Sequence, residues 1–370
     1  MATLYFHIPF CKRICTYCDF YKVGAIELIP RVVEVMHREL DERASYLQER
    51  SLTSIYFGGG TPSLLHPEQI EGLIAHARRL FDCSKVEEIT LEANPDDLSA
   101  EYIAQLQTTS INRISLGIQS FNDDILRFMN RRHTASEARE CVERLRCAGY
   151  NNISIDIIFG VAGFGNEWLR ETISEAIKLN AEHISAYHLT VEERTRLGLL
   201  VRKGEYQPVS EEQSESDYHL VESMLHEAGY EHYEVSNYAK RGYRAKHNSA
   251  YWRGVEYLGI GAGAHSYSGD DRSWCISTAK EYSEGDIRFE GEVLSPTDHL
   301  NEYIMTSLRT MEGIDLNYIK AKYGEMEYNR ILSQATPWQE RGVLTISSNR
   351  LFMPTSEFML SDAVIETLFL

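Results

Sequence analysis

His7-Ile8-Pro9-Phe10-Cys11-Lys12-Arg13-Ile14-Cys15-Thr16-Tyr17-Cys18-Asp19-Phe20 is the stretch on which the fold turns. Cys11, Cys15 and Cys18 are spaced C-x3-C-x2-C, close enough for three thiolates to meet one metal center. Three ligands leave one iron of a four-iron cluster without a protein thiolate, and that iron can bind a small molecule. A zinc knuckle is the competing reading. It needs a fourth ligand nearby, which His7 would have to supply from a predicted strand.

The rest of the chain repeats one pattern. Strand-like runs at 3–7, 54–57, 88–93, 113–118, 153–159 and 183–189 alternate with helical patterns at 26–48, 67–81, 99–107, 119–149 and 167–179. Six such units predict an α/β fold, a partial (β/α)6 barrel around a parallel sheet. The cysteine loop follows the first strand. Gly58-Gly59-Gly60 follows the second, where a triple glycine permits close backbone approach or simply a tight turn. Glu92 ends the third strand, Gln119 follows the fourth and Asp156 lies among isoleucines in the fifth. A carboxylate in such company is costly unless paired or liganded. One such residue reads as a structural hydrogen bond. Several at the same ends of successive strands read as a ligand pocket.

Composition narrows the classes. The 370 residues suit one large domain and a smaller one, and 43% apolar with 25% charged residues is globular. The net charge of −18 disfavours nucleic acid and simple adhesion to anionic lipid. No apolar run reaches the length of a membrane span and no signal peptide precedes Cys11, so a cytoplasmic protein is expected. In that compartment the seven cysteines do not form disulfides, and Cys83, Cys141, Cys147 and Cys275 read as small core residues.

The cysteine spacing resembles the signature of the radical S-adenosylmethionine (radical SAM) superfamily. There the open iron takes S-adenosylmethionine, and the reduced cluster cleaves its C–S bond. Tyr5 to Cys11, Phe57 to Ser63, Leu116 to Phe121, Asn130-Arg131, Ile155-Asp156 and Gly160 resemble the branch containing oxygen-independent coproporphyrinogen III dehydrogenase. That resemblance implies a [4Fe-4S] cluster on Cys11, Cys15 and Cys18. It also implies contact with S-adenosylmethionine by Tyr5, Gly59, Gly60, Thr61, Glu92, Gln119, Arg131 and Asp156.

Two departures matter. Phe20 stands where the dehydrogenase carries a further cysteine, and the chain begins almost at the first strand. Both features look like the paralogous HemW heme chaperones, whose C-x3-C-x-Y-C-D-F motif matches Cys11 to Phe20. That group also carries H-N-x-x-Y-W, here His247 to Trp252. The resemblance implies a heme contact by His247, Tyr251 and Trp252, since imidazole ligates heme iron and aromatic rings pack a porphyrin. By itself a His beside Tyr and Trp reads as a packed loop. The following Gly259 to His265 reads as a pocket wall or as a plain turn.

The expected domains are a radical SAM barrel at 1–240, a connecting segment with the His247 motif at 241–290, and a helical domain with a small hairpin at 291–370. Helices and a hairpin suggest a winged-helix-like shape. Residues 291–370 carry six Lys/Arg against eleven Asp/Glu, which favours docking over nucleic-acid binding. Two functions follow from the resemblance. One is a heme chaperone that hands heme to a recipient protein. The other is an oxidoreductase acting on a porphyrinogen, with a reduced flavodoxin or ferredoxin as electron donor. A homodimer and peripheral membrane attachment stay open.

Overall fold

A computed structural model describes residues 1–165 and 167–370. Six strands, β1 (Ala2–Ile8), β2 (Leu52–Gly59), β3 (Glu88–Ala93), β4 (Arg113–Gln119), β5 (Ile153–Phe159) and β6 (His183–His188), pair in chain order and in parallel. β1 and β6 do not pair with each other, so the barrel is open. Both faces of a parallel sheet are covered, and the two faces here differ in character. Leu4, Phe6, Ile55, Phe57, Ile89, Leu91, Ile114 and Leu116 are buried against the surrounding helices. The alternate set faces inward and is polar: Tyr5 and His7, Ser54 and Tyr56, Thr90 and Glu92, Ser115, and Ser154 with Asp156.

The helices are set by ordinary local signals. Pro67–Leu80 begins with a proline and a capping box between His66 and Gln69. Ala135–Cys147 uses Thr134 and Glu137 in the same way. Ile29–Arg43 starts later than the 26–48 pattern suggests, after a short 3-10 turn, because Pro30 suits only a first helical turn. It buries Val32, Val33, Met36 and Leu40. Cys141 and Cys275 are buried as expected, but Cys147 is exposed. It is the last residue of its helix and faces away from the sheet.

Residues 241–290 are not a connector. β7 (Glu231–Glu234) and β8 (Asn237–Ala239) extend the sheet beyond β6. β9 (Tyr257–Ile260), β10 (His265–Tyr267), β11 (Asp271–Cys275) and β12 (Phe289–Val293) extend it from the other edge, with β9 parallel to β1. The buried Glu39 carboxylate fastens this addition to the first long helix by accepting from Gly261 N at 2.9 Å and Tyr282 OH at 2.5 Å. Of the stretch Gly259 to His265, only Gly261 to Ala264 is the turn; Gly259 and Ile260 close β9 and His265 opens β10.

The C-terminal unit contains the helices Pro296–Leu308, Leu316–Glu340 and Ser361–Leu368. β13 (Ile314–Asp315), β14 (Thr345–Ser347) and β15 (Arg350–Phe352) form its small sheet. The middle helix is broken at Gly324, whose φ is +89°. Among the described residues no helix is long and apolar enough to cross a membrane.

Candidate functional site

The cysteine loop is anchored before any cofactor is considered. Val23 N donates to Pro9 O at 2.7 Å and Cys11 N to Val23 O at 3.0 Å, closing the loop at its base. Thr16 ties its middle to Met129 and Phe128, and Leu197 N donates to Thr16 O at 2.8 Å. Asn130, in the left-handed conformation at φ +60°, donates its amide to Ile14 O at 2.7 Å. All three thiols are partly exposed. Burial raises the Cys11 and Cys18 pKa values and the neighbouring thiols add to it; Lys22 opposes the shift at Cys18. Among the described residues no three His, Cys, Asp or Glu side chains converge as ligands of a single ion. His7 shares a 2.9 Å hydrogen bond with Tyr5 through Nδ1. A cubane cluster takes its three thiolates on separate irons, and Cys11, Cys15 and Cys18 supply that donor set.

The glycine turn lies against that loop. Gly60 N donates to Ile8 O at 2.8 Å, and a Cβ on Gly60 would sit 2.7 Å from Phe10 O. Gly59 has φ +112°, and its Cβ would meet the His7 ring at 2.8 Å. Thr61 Oγ1 donates to Cys11 Sγ at 3.5 Å and accepts from Asn94 at 3.3 Å.

Two carboxylates face the barrel interior just behind. Glu92 accepts from Tyr56 OH at 2.7 Å and from Gly59 N at 3.2 Å. Desolvation pushes its pKa up to about 7, with the Asp156 charge adding to the rise. Asp156 accepts from Ser115 at 3.4 Å, and desolvation raises its pKa to about 6. Arg131 joins the two halves. Its guanidinium donates to Cys15 Sγ at 3.3 Å, to Asn94 Oδ1 at 2.5 Å and to Gly117 O. Gln119 ends β4 with φ +70° next to a break in register with β5. A non-glycine residue held there stores strain of the kind that marks ligand sites.

The structure thus brings Cys11, Cys15, Cys18, Gly59, Gly60, Thr61, Glu92, Gln119, Arg131 and Asp156 to the C-terminal end of the strands, with Tyr5 one layer below. Two buried donors or acceptors there, His7 Nε2 and Arg131 Nε, have no partner among the described residues. Three thiols, backbone bare of side chains at the glycines, a guanidinium and two carboxylates of raised pKa fit a cluster with an amino-acid-bearing ligand. Tyr56 and Asn94 belong to the site as well, outside the motifs that mark the other residues. Tyr56 was legible as the polar alternate of Ser54 in an apolar strand, and Asn94 as the polar residue closing β3.

His247 lies elsewhere. It is on a helix, Lys246–Trp252, at the N-terminal ends of the strands, and not on a loop. The Glu88 carboxylate accepts from Lys246 N at 2.9 Å and His247 N at 3.0 Å, fixing the start of that helix as the barrel floor. The imidazole is 1% exposed. It shares hydrogen bonds with Ser54 Oγ at 2.9 Å and Tyr251 OH at 3.0 Å, and stacks on Tyr56. Desolvation lowers its pKa to about 3, so it is neutral. Both ring nitrogens are engaged, and in this arrangement neither is open to an iron.

An open parallel barrel with a three-thiol loop after its first strand defines a radical SAM protein. Residues 5–176 match the radical SAM superfamily, and residues 294–360 match the HemN C-terminal domain. The chain is 34% identical to the heme chaperone HemW of Lactococcus lactis, over 98% of this chain and 96% of that protein. It is 33% identical to the heme chaperone HemW of Bacillus subtilis, over 98% of each. It therefore belongs to the HemW family. Its fold superposes on Escherichia coli coproporphyrinogen III oxidase (HemN), described as a radical SAM enzyme, with a TM-score of 0.84. That match spans 100% of this chain and 90% of that one at 20% identity, and speaks for the fold alone.

Proposed function

We propose that this chain is a heme chaperone that keeps a working radical SAM center and delivers heme to a recipient protein. The observation that carries the reading is likeness over nearly the whole chain to proteins named heme chaperones. Phe20 supports it against the porphyrinogen oxidoreductase, because it puts a phenyl ring where that enzyme carries a thiol.

Cys11, Cys15 and Cys18 hold the cluster in this reading. When bound, the reduced four-iron cluster supplies the electron that opens the C–S bond of S-adenosylmethionine. Gly59 and Gly60 let the backbone approach the amino end of that ligand. Arg131 presents a planar fork suited to a carboxylate. Glu92 and Asp156 accept hydrogen bonds from the ligand's donors, Thr61 and Gln119 close the pocket, and Tyr5 supports it from beneath. Ile14, 48% exposed, and Phe20, 73% exposed, present two apolar side chains on the loop, beside the exposed Lys12 and Arg13. A flavodoxin- or ferredoxin-type electron donor docks there.

The test is anaerobic. Reconstituted protein is offered hemin in one arm and coproporphyrinogen III with S-adenosylmethionine and reductant in the other. Stable heme uptake without decarboxylation is expected. Decarboxylation without heme uptake would overturn the reading in favour of the oxidoreductase, which the complete thiol and carboxylate set keeps as the second candidate.

A further inference from the structure

A cleft of about 1350 Å³ opens between the added strands β9 to β11 and the first helices of the C-terminal unit. It is more than the roughly 300–1,000 Å³ of a drug-sized site, so it has room for a macrocycle. Its walls are aromatic. Trp252 and Tyr257 line it from the barrel side, and Tyr303 and Tyr318, 4.6 Å apart, from the helical side.

The charges and imidazoles at its rim are unequal in what they have left to give. Arg244, Lys246, Arg272 and Arg350 are each paired with a carboxylate. Among the described residues Arg253 and Lys322 have none: Arg253 donates to Ser249 O at 3.0 Å, and Lys322 to Tyr318 OH at 2.9 Å. Of the two histidines on the lining, His265 stacks on Trp274 at 5.9 Å. Neither it nor His299 makes a side-chain hydrogen bond among the described residues. Burial lowers the His265 pKa, which keeps a neutral lone pair available.

We propose that this cleft is the heme site, with His265 as the iron ligand, Trp252 and Tyr257 as packing walls, and Arg253 and Lys322 as partners of the two propionates. An aromatic slot with two unspent cations and an unengaged imidazole matches a flat, dianionic, iron-bearing ring. The proposal rests on the heme-chaperone reading and moves the ligand away from His247. It also gives the His247 motif a part: His247 holds Tyr251 OH, and Tyr251 stands edge-on to Tyr257, 4.6 Å between centroids.

Hemin titration into the full chain, followed by absorbance and tryptophan quenching, tests it. His265→Ala should shift the Soret band and weaken retention about tenfold or more, since even outer partners of a metal ligand act on that scale. Arg253→Gln with Lys322→Gln should weaken retention with the Soret position unchanged. Unfolding temperature and cluster iron, both measured on each variant, should match wild type. If wild type binds heme and these variants bind it with the same spectrum and affinity, the cleft is overturned and the chaperone reading survives. A spectrum that changes with His299→Ala and not with His265→Ala overturns the ligand assignment. Wild type that takes up no heme sinks both readings.

Discussion

The Arg131 guanidinium stands 3.3 Å from the Cys15 sulfur and also reaches the Asn94 side chain at 2.5 Å, so one side chain ties the cysteine loop to the end of β3. Arg131→Lys keeps the charge but cannot span both partners. It should weaken S-adenosylmethionine binding by about 1.5–3 kcal/mol, the scale of a hydrogen bond to a charged group. Equilibrium dialysis of the reconstituted protein reads this directly, and unchanged affinity would leave Arg131 with the loop alone.

The loop chemistry predicts a division among cysteines. Cys11→Ala, Cys15→Ala and Cys18→Ala should each abolish the four-iron cluster, as iron analysis and electron paramagnetic resonance report. Cys83→Ala, Cys141→Ala, Cys147→Ala and Cys275→Ala should each retain it. Gly60→Ala should also lower cluster content, because the new methyl would press within 2.7 Å of Phe10 O, immediately before Cys11.

Glu92 and Asp156 predict an unusual pH dependence for the cofactor-free chain. Their folded pKa values, about 7 and about 6, lie above the ordinary 4.5 and 3.8. The folded state therefore holds more protons than the unfolded state across those windows, and stability from these groups falls as pH rises through them. Glu92→Gln removes this penalty. Its unfolding temperature relative to wild type should become more favourable from pH 5 to pH 8. A difference that stays flat, or reverses, would mean Glu92 is already ionised in the folded chain.

His247 should behave as a structural residue. His247→Ala strands the Ser54 and Tyr251 hydroxyls and empties space beside Tyr56, a loss of about 2–4 kcal/mol by hydrogen-bond and cavity costs. Chemical denaturation should show this with the cluster intact and the heme-bound Soret position unchanged. A lost Soret band at undiminished stability would restore the imidazole to the iron.

The sequence by itself determined the barrel and most of its upper rim. C-x3-C-x2-C needs only eight residues to place its thiols, and β1 to β6 are long, apolar on one face and bounded by turns. Inward polar residues such as Glu92 and Asp156 are visible because each interrupts an apolar run at period two. The tertiary structure alone decided where His247 stands and what 241–290 does. β9 finds β1 across some 250 residues of chain, pairing Tyr257 with Thr3. Strands of three to five residues with mixed polarity carry too weak a period to announce such a partner. Nor can a side chain's neighbours across that distance be read from its own: Ser54 and Tyr251 close both nitrogens of His247 only because the sheet brings residue 54 to the helix that begins at 246.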